Sequence, residues 1–304
     1  MSLSSNYQTV SCDICQSRGF RTVYSNLVDN YLLKPGLFNY VQCWDCGLVY
    51  LNPRPSASTL PQYYQGEYIP YGAKNAVVRF IKKILWLPDK LLIKPILAKG
   101  GKLLEVGSAR GDFLAYLGRP DQVFGLELDA PSAETARNIH GLSVITGTFE
   151  EHDFGNLKFD IAVMFFVLEH MLSPKRALEK LNSIMNPAAI ALISVPNFDS
   201  WERIIFGRYW SGFDAPRHFY IFGEKQFKRL AESAGFRVLK VKYSLVPNDW
   251  LSGIKRLLTE KGYPRLARFF GIYNLILAAF FLPLAITAKL FGKSTRFMFI
   301  IQRS

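Results

Sequence analysis

The 304-residue chain predicts an α/β fold built on a mostly parallel sheet, and three features of its sequence carry that prediction. Between residues 101 and 243, short apolar runs alternate with amphipathic helical stretches, the pattern of neighbouring parallel strands with helices over both faces. The first run opens LLEVGSARGDFLAYL, Leu103–Leu117, where an apolar strand meets an acidic residue, two nearby glycines and a helix. Two C-x2-C pairs precede this region, and an uncharged run of 20 residues follows it.

Charge and cysteine usage bound the function. With 37 Lys+Arg against 24 Asp+Glu the formal charge is +13, which calls for an anionic partner: a membrane surface, nucleic acid or a phosphorylated substrate. MSLSSNYQTV lacks the basic start and apolar core of a secretory signal, so the expected compartment is the cytoplasm. In that reducing setting four cysteines point to metal before disulfides.

The cysteines are Cys12, Cys15, Cys43 and Cys46. Two thiolates two residues apart grip one face of a tetrahedral Zn²⁺, and a second pair closes the site with four sulfurs, which makes it structural. The 27 residues between the pairs leave room for a hairpin around Tyr31 to Tyr40. LVYLNPRP then ends the module, and PQYYQGEYIPYG reads as an aromatic, turn-rich linker. From Ala76 to Lys99 the sequence predicts a basic amphipathic helix broken at Pro88 and Pro95, packed on the next domain or touching anionic lipid.

Strands are expected at Lys102–Val106, Gln122–Glu127, Leu142–Thr146, Phe159–Phe166, Ala189–Val195 and Arg237–Tyr243, with a last one at Arg296–Gln302. Helices are expected at Pro131–Ile139, Pro174–Met185 and Glu224–Ala234. At the first strand-to-helix turn, Gly107 and Gly111 let main chain approach a ligand, and the helix start offers free N–H groups. The GxGxxG pattern is not met because Ala109 replaces its middle glycine, and no Lys-Ser/Thr pair follows, which excludes a P-loop. The second strand ends at Glu127, placed to accept hydrogen bonds from a ribose diol. GTFEE, Gly147–Glu151, adds polar groups at the same sheet edge.

The segments LLEVGSARGDFL, VFGLELD, GTFEE, FDIAVMFFVLEHMLSPKRALEKL, ALISVPN and DAPRHFYIFGEKQFKRLAESAGF together resemble a class I S-adenosylmethionine-dependent methyltransferase, of the branch with an N-terminal zinc-binding module. The resemblance implies a Rossmann-like sheet, mostly parallel with an antiparallel last strand, a small zinc ribbon and a hydrophobic helical insertion. It further implies S-adenosylmethionine as cofactor. Glu105, Gly107, Ser108 and Gly111 would hold the methionine portion, Glu127 the ribose, Leu128, Thr148 and Phe149 would flank the adenine, and Phe165 would also bind the cofactor, with core packing the alternative for Leu128 and Phe149. Two departures stand out: Ala109, and Asn186-Pro187-Ala188-Ala189 where members carry a Lys-Pro-Gly-Gly turn.

A hydroxyl acceptor benefits from a base, and histidine suits neutral pH. His218 occupies a position similar to the catalytic histidine of sugar C-methyltransferases in the zinc-bearing branch and is the first choice, ahead of His170, with Asp214 to orient it. A capping or core role is the alternative for His218. Those relatives place Glu before the histidine; here it is Arg217, which suits a substrate phosphate or carboxylate. Tyr209 and Trp210, in an aromatic loop, are expected to cap the substrate side.

The uncharged run, Phe269–Ala288, reaches transmembrane length, yet Lys255, Arg256, Lys261, Arg265 and Arg268 precede it and Lys289, Lys293 and Arg296 follow. Positive charge on both sides keeps both ends on one side of a membrane, so a hairpin bent near Pro283 and lying in one leaflet is expected, with burial against the sheet or in a dimer as the alternative. The expected organisation is a ribbon and linker (1–70), a basic helical linker (71–100), a methyltransferase core (101–248), the insertion (249–291) and a last core strand (292–304). The expected function is methylation, by O-transfer, of a sugar, glycolipid or lipid-linked intermediate by a cytoplasmic enzyme peripheral to the membrane. A quinone-type O-methyltransferase, a sugar C-methyltransferase and a zinc-ribbon nucleic-acid binder are the alternatives; against the last, few Lys or Arg lie between Cys12 and Cys46.

Overall fold

A computed structural model describes residues 6–64, 76–271 and 274–304. The linker from residue 65 to 75 and positions 272–273 of the insertion lie outside the described residues. Seven strands form the central sheet: β6 (Leu103–Val106), β7 (Val123–Glu127), β8 (Ser143–Thr146), β9 (Phe159–Phe165), β10 (Met185–Pro196), β12 (Phe236–Tyr243) and β13 (Arg296–Arg303). Their order is β12-β13-β10-β9-β6-β7-β8. β13 runs antiparallel to both neighbours while β6 to β10 pair in parallel, as expected of the class I methyltransferase sheet. The parallel strands are apolar on both faces, LLEV in β6 and IAV within β9 being fully buried, because helices cover the sheet above and below.

Helices α2 (Asp112–Leu117), α3 (Ala130–His140), α4 (Pro174–Ile184) and α6 (Glu224–Ser233) fill the crossovers. Their starts follow local rules: the side chains of Asp129 and Ser173 accept hydrogen bonds from Ser132 N and Arg176 N, capping α3 and α4. α1 (Ala76–Ala98) departs from expectation, since it is one helix running through Pro88 and Pro95. The two prolines stand seven residues apart, both exposed, so the ladder bonds they remove are on the solvent side; Ile93 and Leu97 bury the other face against the sheet.

The cysteine module forms a second sheet of β2 (Phe20–Leu27), β3 (Phe38–Cys43), β4 (Val49–Leu51) and β11 (Tyr220–Ile221), ordered β11-β4-β3-β2. β11 comes from the other end of the chain, so the module shares a sheet with the segment that carries His218. One hydrophobic core is continuous from Cys12 and Tyr50 to Phe227 and Phe299. Asp13, inside the first knuckle, accepts from Ser173 Oγ and Lys175 N at the start of α4, both at 2.8 Å.

The insertion also departs from expectation. α7 (Asn248–Glu260) and α8 (Pro264–Ala267) lead to α9 (Leu275–Leu290), which passes straight through Pro283. The bend, 73° between Pro264–Phe270 and Leu275–Leu290, falls before α9. Asn274 fixes it, accepting from Leu277 N and donating to Phe269 O, while exposed Pro283 costs α9 only a solvent-side bond. Among the described residues no single helix is long and apolar enough to cross a membrane.

Candidate active site

A cleft of about 1890 Å³ opens at the carboxyl ends of the parallel strands, where such sheets place their ligands. Its floor at one end is the turn after β6. Gly107 has φ +73°, and a Cβ there would meet Val167 Cγ2 at 2.4 Å, so the position excludes side chains. Gly111 has φ +75° and its Cβ would strike Leu142 Cδ1 at 2.6 Å; it serves close packing of α2. Ala109 adopts φ +48°, a left-handed backbone that glycine takes more cheaply. Its N–H donates to Glu127 Oε2 at 2.7 Å, and Asp129 N–H donates to Oε1 at 2.8 Å.

Glu105, at the cleft floor, is 4% exposed and its Oε2 has no hydrogen-bond partner among the described residues; nor has Ser108 Oγ. Burial, with Glu127 and Asp112 adding repulsion, holds the Glu105 carboxyl well above the usual carboxylate range. Burial also raises Glu127, against the opposing amide hydrogen bonds. Two buried carboxylates with spare lone pairs fit a cationic, hydroxyl-rich ligand, and S-adenosylmethionine carries a sulfonium, an ammonium and a ribose diol. Leu128 stands 60% exposed on the cleft wall, where a planar base can lie against it. Thr148 lines the cleft and donates to Glu151 Oε2. Phe165 lines it beside Phe113, the rings edge-on at 5.1 Å. Phe149 also lines the cleft, but its ring is 1% exposed and packs against Phe154, with Lys180 over it, the core packing that was its alternative.

The other end of the cleft follows the strand-to-helix turn after β9, LEH, which brings Glu169 and His170 against His218. The two imidazoles meet edge to face at 4.7 Å. His218 Nδ1 donates to Gly212 O at 2.8 Å, which leaves Nε2 as its free nitrogen, 4.0 Å from Glu169 Oε1. Burial depresses both histidines, His170 to about 3. Glu169 is fully buried, with neither carboxylate oxygen hydrogen-bonded among the described residues, and burial pushes it up to about 8. Sequence reasoning passed over Glu169, although an acid inside the apolar stretch VLEHML was the signal available.

Three expected roles are corrected. Arg217 is 0% exposed and its guanidinium is taken up by Asp29, Asp214 and Tyr63 O, so it presents nothing to a substrate. Asp214 serves that arginine, and Gly212 O rather than Asp214 orients His218. Trp210 is buried with Nε1 donating to Thr295 Oγ1, and Tyr209 packs on the core away from the cleft lining. Ser211, Gly212 and Arg256 line that end instead. Arg256 donates to the carbonyls of Trp210 and Phe213.

In the cysteine module, Sγ of Cys12 lies 3.3 Å from that of Cys46, and Cys15 lies 3.5 Å from Cys43; all four converge within 4.8 Å. A ZnS₄ tetrahedron with bonds of about 2.3 Å has edges of roughly 3.8 Å, so the four sulfurs fit the ion. Gln226 of α6 donates to Cys46 O at 3.0 Å, tying the second knuckle to the core.

A family model described as a methyltransferase domain matches residues 78–241, more than half of the chain. The chain belongs to the methyltransferase family. It is 28% identical over 155 residues to an O-methyltransferase of Penicillium expansum, covering 47% of this chain and 55% of the relative. It is 26% identical over 139 residues to an uncharacterized protein of Methanocaldococcus jannaschii, covering 46% and 54%. The chain thus spans about half the length of these curated relatives. Among solved structures it is similar to an S-adenosylmethionine-dependent methyltransferase of Thermotoga maritima, described as a possible histamine N-methyltransferase, with TM-score 0.48, 18% identity and coverage of 74% and 93%. It is also similar to the magnesium protoporphyrin IX methyltransferase of Synechocystis, with TM-score 0.47, 11% identity and coverage of 81% and 93%.

Proposed function

We propose that this methyltransferase moves the methyl group of S-adenosylmethionine to an oxygen of a sugar, glycolipid or other lipid-linked acceptor at the cytoplasmic surface of a membrane, with a structural zinc in its cysteine module. The observation that carries the chemistry is the pair Glu105 and Glu127, two buried carboxylates at the ends of adjacent strands beside a turn where Gly107 admits no side chain. S-adenosylmethionine, when bound, supplies an electrophilic methyl on a sulfonium. Glu105 offsets the positive charge of the methionine end in a site with little water to do so, Glu127 accepts from the ribose hydroxyls, and Leu128 lies against the adenine. The Glu169, His170 and His218 group receives the acceptor, and alignment of the two ends in one cleft is the main catalytic contribution.

The membrane part of the reading is supported by α9, which turns Ala278, Phe281, Ala285 and Ala288 inward and leaves Leu275, Ile276, Phe280 and Leu290 exposed. Arg265, Arg268, Lys289 and Lys293 flank that surface, as anionic headgroups require. Calorimetry of full-length, zinc-loaded protein tests the enzyme reading: S-adenosylmethionine should bind one per chain, and absence of binding by folded protein rejects it. Methyl transfer from labelled cofactor to a lipid extract, with the label recovered in a lipid-linked sugar, tests the acceptor class; label confined to other fractions overturns it.

A further inference from the structure

We infer that Glu169, His170 and His218 form a divalent-cation site at the acceptor end of the cleft, separate from the cysteine module. The inference rests on reading this end of the cleft as the place where the acceptor binds.

Four observations converge on a cation. One ligand atom from each of the three side chains lies within 4.8 Å of the other two. His218 Nε2 and Glu169 Oε1 are 4.0 Å apart, too far for a hydrogen bond and a small side-chain adjustment away from the roughly 3.4 Å that separates two ligands of one tetrahedral ion. His218 is held as a ligating histidine is: its Nδ1 donates to Gly212 O at 2.8 Å, which leaves Nε2 as the donor nitrogen, while Nδ1 of His170 is anchored by Arg217 O at 3.1 Å and Tyr64 Oη at 3.2 Å. Glu169 is 0% exposed with neither oxygen hydrogen-bonded among the described residues, and unsatisfied buried lone pairs of this kind are what a bound cation takes up.

Among the described residues neither Arg217 nor Arg296 forms an ion pair with Glu169, although Arg296 acts on it at longer range. Arg217, adjacent in sequence to His218, is committed to Asp29 and Asp214, and Arg296 is committed to Asp249. The backbone instead holds the three side chains in place: Phe219 N donates to Glu169 O at 2.8 Å, and Tyr40 Oη donates to His218 O at 2.7 Å. His170 and His218 line the cleft while Glu169 lies behind them, so the remaining coordination positions face the cleft. Three protein ligands with an open side is the arrangement of a site that also binds a substrate atom, here an oxygen of the acceptor. Two imidazoles and one carboxylate suit Zn²⁺, Co²⁺, Fe²⁺ or Mn²⁺ and disfavour Mg²⁺ or Ca²⁺. On this assignment His218 and His170 act as ligands, and the base role expected of His218 from the sequence falls away.

The test is a Co²⁺ titration of untagged, full-length protein whose cysteine module already holds zinc. One further Co²⁺ per chain should bind, with weak visible bands and no sulfur charge-transfer absorption. Glu169→Gln and His218→Asn, checked for native circular dichroism, should each weaken that binding at least tenfold, and Co²⁺ should raise the Tm of wild type but not of Glu169→Gln. If either variant fails to fold, the remaining variant and the wild-type Tm shift decide. No second Co²⁺, thiolate-type absorption, or unchanged affinity in the folded variants overturns the assignment. S-adenosylmethionine calorimetry on the same samples keeps the two readings apart: lost cofactor binding counts against the enzyme, lost Co²⁺ binding against this site.

Discussion

Arg217 and Asp29, 188 positions apart in sequence, form a bidentate ion pair with both side chains fully buried, Nη2 to Oδ1 at 2.6 Å and Nη1 to Oδ2 at 2.8 Å. It joins the loop between β2 and β3 of the cysteine module to the segment carrying His218. Removing one partner leaves a buried charge, so Asp29→Asn should cost about 3 kcal/mol at pH 7 by urea denaturation. The pH dependence has a definite sign. Burial pulls the Asp29 pKa up, but hydrogen bonds from Arg217 and from the amides of Tyr31 and Leu32 outweigh it and hold the group below its ordinary value. Its contribution is therefore present above the unfolded pKa of about 4 and lost as pH falls through the lower folded value. The stability gap between wild type and Asp29→Asn should narrow below about pH 4; a gap independent of pH would show that the pair is not ionic.

Ala109 and Ala188 stand where the sequence resemblance leads one to expect glycine, and both adopt the left-handed backbone, at φ +48° and +59°. A Cβ in that region costs about 1–2 kcal/mol, partly offset by the greater unfolded-chain entropy of glycine. Ala109→Gly and Ala188→Gly should each stabilise the fold by about 0.5–1 kcal/mol, and because Ala109 lies in the turn after β6 and Ala188 at the irregular start of β10, their Tm increments should add. A loss of stability in either variant would mean that the methyl group makes packing contacts worth more than the strain.

The sheet and the turn after its first strand were legible because their signals are local. An apolar strand ending in Gly107, and a carboxylate where β7 ends, imply their environment within a few residues. The acceptor end was not, because side-chain direction there is set by distant partners: Arg217 turns inward to Asp29, and Trp210 turns inward to Thr295. Phe149 shows the same limit, since nothing local distinguishes a ring facing a ligand from one facing Phe154. Prolines misled for a related reason. Pro88, Pro95 and Pro283 break a helix only if the lost hydrogen bond cannot be met, and on exposed faces water meets it.

Glu127 holds its turn through Ala109 and Asp129 while offering the remaining lone pairs to a ligand. Glu127→Gln keeps the shape but removes the charge from those hydrogen bonds, each worth about 1.5–3 kcal/mol when charge-assisted. S-adenosylmethionine affinity should fall about ten- to hundredfold by calorimetry. Gly107→Ala should lose measurable binding, because its Cβ overlaps Val167 at 2.4 Å. Retention of full affinity in both variants would place the cofactor elsewhere.

Chelation of the cysteine module should destabilise the whole chain. Asp13 caps α4, Gln226 grips Cys46 O, and β11 completes the module's sheet, so the module and the core share their packing. A strong chelator should therefore lower a single unfolding transition. Two separate transitions in calorimetry would show that the module unfolds independently of the core.

α9 is built inside out for a helix on a water-soluble surface. Its inward face is Ala278, Ala285 and Ala288 with Phe281 stacked on Trp250, while Ile276, Phe280 and Leu290 are 83%, 75% and 79% exposed. Phe269, Phe291 and, on α5 (Trp201–Phe206), Ile204 and Ile205 add to the exposed apolar residues around it. Apolar surface of this size marks a binding face, and the flanking basic residues favour anionic lipid. Transfer of each large side chain out of water contributes about 1.5–3 kcal/mol, and each basic residue near the headgroups about 1 kcal/mol. Because Ile276 and Phe280 make little contact with the protein, the double variant Ile276→Asp, Phe280→Asp should leave S-adenosylmethionine binding unchanged. It should nonetheless weaken sedimentation with anionic phospholipid vesicles by about a hundredfold or more, and raised salt should weaken the wild type more modestly. A wild type that stays in the supernatant with such vesicles, or a double variant that sediments equally well, would refute membrane docking through α9.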